Sequence, residues 1–84
     1  MKFRKREDGS WIVDGQYSFY NFLQHLHLVD LYSEYDFNTL SGLILDLLGH
    51  VPEAGEKVKW MDYQIEVLDM DGARIDKVWV RRLK

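Results

Sequence analysis

Three histidines, four serines and a set of acidic turn residues are the groups here that could do chemistry. His25, His27 and His50 have no metal-ligand spacing with one another. His25 and His27 stand two apart, so on a helix they point to different sides. Ser10, Ser18, Ser33 and Ser41 lie in no nucleophile-elbow pattern, and capping or turn roles account for them. The glycines follow turns, with no glycine-rich phosphate loop or dinucleotide fingerprint among them. With no general acid/base or nucleophile grouping, the chain is not expected to be an enzyme, and no cofactor is expected.

The acids are more suggestive. Asp69-Met-Asp71-Gly72 begins like a calcium loop, but its twelfth position is Val80 where a bidentate Glu is required. A hairpin turn is therefore the expected role of that segment. Asp14, Asp69 and Asp71 remain candidates for weak coordination of Mg2+ or Ca2+, because each is an oxygen ligand on a turn. Trp11, Trp60 and Trp79 all fall on expected strands, next in sequence to Lys57, Lys59, Lys77 and Arg81. Either the rings belong to the core or they form an exposed patch that docks another domain or a second copy.

These residues need a scaffold, and 84 residues allow one small domain, so large aromatic side chains must supply much of its core. The absence of cysteine excludes disulfides and thiolate metal sites. No apolar run approaches the ~20 residues of a membrane helix. The basic start, Met1 to Arg6, has no hydrophobic region behind it and does not read as a signal peptide. Net charge is −3, yet its distribution is uneven. Nine acids and no Lys or Arg occupy residues 7–56, while every Lys and Arg lies in 2–6 or 57–84. If the termini meet on one sheet, an acidic helical layer opposes a basic sheet end. Nucleic acid, which needs a basic domain, is not an expected partner.

Trp11-Ile-Val13 predicts a strand stopped by Asp14-Gly15. Ser18 is placed to cap a first helix whose Phe19, Phe22, Leu23 and Leu26 share one side. Asn38 or Asp36 is expected to cap a second, striped by Leu40, Leu43, Ile44, Leu47 and Leu48 and stopped by Gly49. From Glu56 the apolar period becomes two. Three strands follow, joined by turns at Met61-Asp62 and Asp71-Gly72, with a bulge expected near Asp76-Lys77. The reading is α+β, in the order β-α-α-β-β-β, with two helices packed on one face of a small antiparallel sheet.

Asp8-Gly-Ser-Trp-Ile-Val-Asp-Gly15, Asn38 through Gly49 followed by Val51-Pro52-Glu53, and Glu66-Val-Leu-Asp-Met-Asp-Gly72 followed by Arg74-Ile75 resemble the CorC/HlyC transporter-associated domain. The likeness runs from Asp8 to about Leu83, with Asn38 where an acidic cap is more usual. It implies that residues 1–84, with a core of about 8–83, are one such domain and a piece of a larger membrane protein. It further implies a hemolysin-like Mg2+/Co2+ transport or efflux parent, with paired CBS domains and a membrane domain as partners. The domain would lie on the cytoplasmic side without inserting in the bilayer, as a non-catalytic regulatory module. The resemblance also implies a fold shared with part of the flavin-binding domain of vanillyl-alcohol-oxidase-like enzymes. A flavin (FAD) or adenine-nucleotide module, with its ligand in a cleft between helices and sheet, is one alternative by that analogy. A homodimerising domain using an uncovered sheet face or edge is another.

Overall fold

Five strands were found where four are expected, and the extra one comes from the basic start of the chain. The computed structural model describes residues 3–84, so Met1 and Lys2 lie outside the described residues. In chain order the strands are β1 (Phe3–Lys5), β2 (Trp11–Asp14), β3 (Lys57–Trp60), β4 (Tyr63–Asp71) and β5 (Arg74–Arg82). Between β2 and β3 come helices α1 (Phe19–His25) and α2 (Leu40–Leu48), with a 3-10 helix, Val29–Glu34, linking them. The sheet is antiparallel, in the order β1-β2-β5-β4-β3. The class is the expected α+β. The sheet, however, begins at Phe3, ahead of the expected core boundary at Asp8, because Phe3 to Lys5 pair with Val13 to Trp11. No apolar alternation marks so short an edge strand in the sequence.

Both helices begin with hydroxyl caps. Ser18 Oγ accepts from the Asn21 N–H at 3.1 Å, and Thr39 Oγ1 accepts from the Gly42 N–H at 3.2 Å. Thr39, not Asn38 or Asp36, is thus the cap of α2. Thr39 is the extended residue just before the first helical turn, whereas Asn38 sits one place too early and its carbonyl accepts from the Phe19 N–H. Ser18 and Thr39 also form an isolated β-bridge, which ties the two helix starts together. Gly49 ends α2 with φ of 74°, a conformation glycine enters without a Cβ penalty.

The helices bury Phe19, Phe22, Leu23, Leu40, Leu43 and Ile44 against Val13, Ile65, Val67, Val78 and Val80, all with 1% exposure or less. That packing lies between helices and sheet, where the flavin or nucleotide alternative would place its cleft. A fully buried Leu, Ile or Phe contributes ~1.5–3 kcal/mol, so this layer is the main stabilising feature. Gly15 lies so close to the Ile75 carbonyl that any Cβ would collide with backbone. The β4–β5 pairing slips where the bulge is expected: Val67 pairs Val78, Asp69 pairs Lys77 and Met70 pairs Ile75, which leaves Leu68 and Asp76 unmatched. The following hairpin turns on Gly72 and Ala73 rather than on Asp71-Gly72, since Asp71 still pairs with Arg74 and Gly72 takes the positive φ, 62°.

Candidate functional site

Strand alternation sends Val13, Ile65, Val67, Val78 and Val80 to the helices, so the residues between them face away from the helices. On that open face one row across the sheet reads Arg4, Ile12, Trp79, Glu66, Lys57. The next row toward the C-terminal end of β5 reads Arg81, Gln64, Lys59. The row on the other side reads Asp14, Lys77, Asp69.

At the centre is Trp79, half-buried and fixed in orientation. Its indole Nε1–H donates to Ser10 Oγ at 2.7 Å. Ser10, 4% exposed, donates its hydroxyl and its backbone N–H to Asp8 Oδ1 at 2.6 and 2.9 Å. These two bonds hold the Asp8 carboxyl below its usual range, the hydroxyl contributing most. Arg81 lies over the indole, its guanidinium carbon 5.7 Å from the ring centroid, and bonds Gln64 Oε1 at 3.4 Å. Around this platform runs an open groove of about 590 Å³, with Lys57, Arg82 and Lys84 on its rim.

The three tryptophans therefore do not make one patch. Trp60, 5% exposed, is core and donates its indole N–H to Tyr35 Oη at 3.2 Å. Trp11 packs on the helix side, its ring 6.1 Å from Phe3 and 6.2 Å from Tyr63. Only Trp79 of the three is on the open face, because only its neighbours Val78 and Val80 point inward. Ser10 was not singled out for this role in the sequence. Its contact with Trp79 spans 69 residues, so no local pattern announces it.

The cation candidates fare differently. Asp14 and Asp69 stand on either side of Lys77 in one row, while Asp71 pairs with Arg74 farther along. Among the described residues no group of three or more His, Asp or Glu could hold a metal ion. The three aspartates thus do not fit a common divalent site, since a cationic side chain occupies the position between two of them. Gln16 N–H takes one Asp14 oxygen at 2.9 Å.

The histidines also separate. His25 stacks on Phe3 with ring centroids 3.7 Å apart and meets Tyr17 Oη at 3.1 Å. His50 bridges the end of α2 to the start of β3. Its Nδ1 faces the Leu48 carbonyl at 3.0 Å and its Nε2 faces Glu56 Oε1 at 2.8 Å. Both partners are acceptors, and only an imidazolium carries a proton on each nitrogen. The Glu56 hydrogen bond raises the His50 pKa. Glu56 is lowered, first by the Glu53 N–H on its other oxygen at 2.7 Å and then by His50.

The CorC/HlyC transporter-associated domain profile matches residues 4–84. The chain belongs to this family. The transporter-associated domain of a Xylella fastidiosa hemolysin, solved in complex with Mg2+ and Mn2+, superposes with a TM-score of 0.83 and 34% identity, covering 98% of each chain. The corresponding domain from Nitrosomonas europaea gives 0.84 and 28%, covering 98% of this chain and 96% of that one. Among full-length relatives, a UPF0053 protein of Synechocystis is 37% identical over 81 residues, 94% of this chain. A polyamine export protein of Salmonella typhimurium is 31% identical over 78 residues, 93% of this chain. The chain spans only 18% and 17% of those two relatives' lengths. It is a transporter-associated domain. Among the described residues no helix is long and apolar enough to cross a membrane.

Proposed function

We propose that this domain is a non-catalytic accessory module, on the cytoplasmic side of a membrane transporter, that biases the parent between transport states. The observation that carries this reading is the contrast between a dry, helix-covered face and an uncovered face with a fixed aromatic platform. The hydrogen bond from a half-buried indole to a buried serine contributes to stability and also holds the ring in one orientation on the open face. A domain that must meet another surface gains a rigid anchor.

The groups that could have supported catalysis serve structural roles instead. Ser10 is bonded to Trp79 and Asp8, Ser18 caps α1, and His50 ties a loop to Glu56. Contacts on the open face that differ between two states of the parent would shift its equilibrium by their difference in free energy, which is all that regulation requires. The natural partners are the CBS and membrane domains of the parent, and the cargo is a cation: Mg2+ or Co2+ by the family resemblance, a polyamine by the Salmonella relative.

Deleting residues 8–83 from the parent, with expression confirmed, tests this. Cells are then challenged separately with Mg2+, Co2+ and spermidine, and uptake and efflux of each are measured. An altered cation dose-response with the membrane domain still assembled is expected. Unchanged transport and unchanged response to all three cations would reject the accessory role.

A further inference from the structure

We propose that the groove around Trp79 is the docking surface for an extended acidic polypeptide segment. The lining is cationic within an acidic chain: Lys57, Arg81, Arg82 and Lys84 stand against the carboxylates of Asp8 and Glu66, whereas the whole chain carries −3. Asp8 is already engaged by both donors of Ser10. Of the cations, Lys84 lies 3.9 Å from Asp62 Oδ1. Arg81 makes one long bond, to Gln64 at 3.4 Å, with its guanidinium carbon 5.7 Å from the indole centroid, and a guanidinium has further donors that suit a carboxylate.

Spacing selects the kind of ligand. Lys57 and Arg81 lie in adjacent rows of the open face and two strands apart, on β3 and β5. Strands are ~4.8 Å apart and alternate residues on one face ~6.8 Å apart, which places these two positions about 12 Å from each other. A single phosphate engages both only where the two long side chains converge on one point, whereas an extended chain meets each in place. An extended chain advances ~3.3–3.6 Å per residue, so acidic side chains three or four residues apart match it. Glu66 lies in register between Trp79 and Lys57 and would repel a carboxylate there, which favours spaced acids over a continuous acidic run. The groove is open to solvent and lined by residues of β3, β4 and β5, so an extended segment can lie across those strands. A bilayer fits less well, because Glu7, Asp8 and Asp62 stand on the turns at the same end of the sheet as Arg82 and Lys84.

The inference uses the accessory reading only to say where such a segment would come from; binding itself is a property of this chain. The test uses the 84-residue chain and a nine-residue peptide with glutamates at the first, fifth and ninth positions, followed by NMR. Expected are shifts confined to Lys57, Gln64, Trp79 and Arg81, including the Trp79 indole N–H, and affinity that falls with added salt. Arg81→Glu should weaken binding roughly tenfold or more, on the scale of one charge-assisted contact, while leaving the amide spectrum folded. Lys57→Glu serves as a second variant should Arg81→Glu disturb the fold. No shifts at about 5 mM peptide, weaker than a specific site of this kind, would overturn the proposal. So would equal binding of inorganic phosphate, shifts with anionic vesicles alone, or insensitivity to both charge reversals. Because the parent is assayed by transport and this groove by peptide titration, either reading can fail without the other.

Discussion

The two faces of the same five strands obey different rules. On the covered face Val13, Tyr63, Ile65, Val67, Ile75, Val78 and Val80 are β-branched or aromatic with 6% exposure or less, and the partner is supplied from within the chain by α1 and α2. On the open face the rows mix Arg, Lys, Asp and Glu around one indole, and no helix among the described residues packs over them. The first face is set by the free energy of removing apolar area from water. The second is arranged by hydrogen bonds that hold one aromatic group still, an arrangement that serves recognition more than stability. The contrast teaches that in so small a domain nearly all the folding energy is spent on one side of the sheet. The other side is free to carry function.

The contrast predicts its largest effect at the centre of the covered face. Phe22 has no exposed surface and touches both Phe3 and Trp60. Phe22→Ala should cost about 3–5 kcal/mol, a large share of what a domain of this size possesses. Urea unfolding followed by circular dichroism measures it; a loss under ~1 kcal/mol would mean that the helical layer is not the dominant stabiliser.

A smaller effect is expected where the open face is anchored. Ser10→Ala leaves the partly buried Trp79 indole N–H without its partner, at a cost of roughly 1–3 kcal/mol. The same variant should broaden or move the Trp79 indole resonance while leaving that of Trp60 in place, because Trp60 bonds to Tyr35 instead. If both indoles move together, the platform is not locally held and the two faces are less independent than described.

The sequence discloses these faces unequally, and for a physical reason. Helix stripes such as Leu40, Leu43, Ile44 and the alternation of Tyr63, Ile65, Val67 are local patterns with fixed periods, so the covered face could be assigned residue by residue. The bulge was visible as broken alternation near Asp76. β1 was not, since three residues carry no period. Nor was the cap of α2 fixed, because Asp36, Asn38 and Thr39 all have capping chemistry and tertiary contacts choose among them. The site is least legible. The three tryptophans look equivalent in sequence, and only the register of β2 on β5 sends Trp79 outward to meet Ser10.

Arg81 sharpens the comparison further. It is half-exposed, and its contacts are the indole face and one long bond to Gln64. Arg81→Ala should change stability by no more than about 0.5 kcal/mol, the range for substitutions away from buried features. Placed beside Phe22→Ala, the two variants report on faces of one sheet separated by a single layer of backbone. A destabilisation by Arg81→Ala as large as that of the core variant would erase the distinction between a structural and a recognition face.

The smallest effect belongs to neither face but to the loop between the helical layer and β3. His50 has its pKa raised by Glu56, so its contribution is complete below the ordinary imidazole value, about 6.5, and is lost as pH rises through the higher folded value. Glu56 is lowered, so its contribution is present above the ordinary value, about 4.5, and is lost as pH falls through the lower folded one. The clasp is therefore fully closed only between these two ordinary values. The melting temperature of His50→Gln should fall below that of the parent chain most at about pH 5.5, with the gap narrowing toward about pH 8.5. Both groups are exposed, so the gap should be small and should shrink in high salt. The His50 ring-proton titration gives a direct check: a midpoint at or below the ordinary imidazole value would show that its two acceptors do not hold the imidazolium. The pH sensitivity of the seam would then have to arise elsewhere.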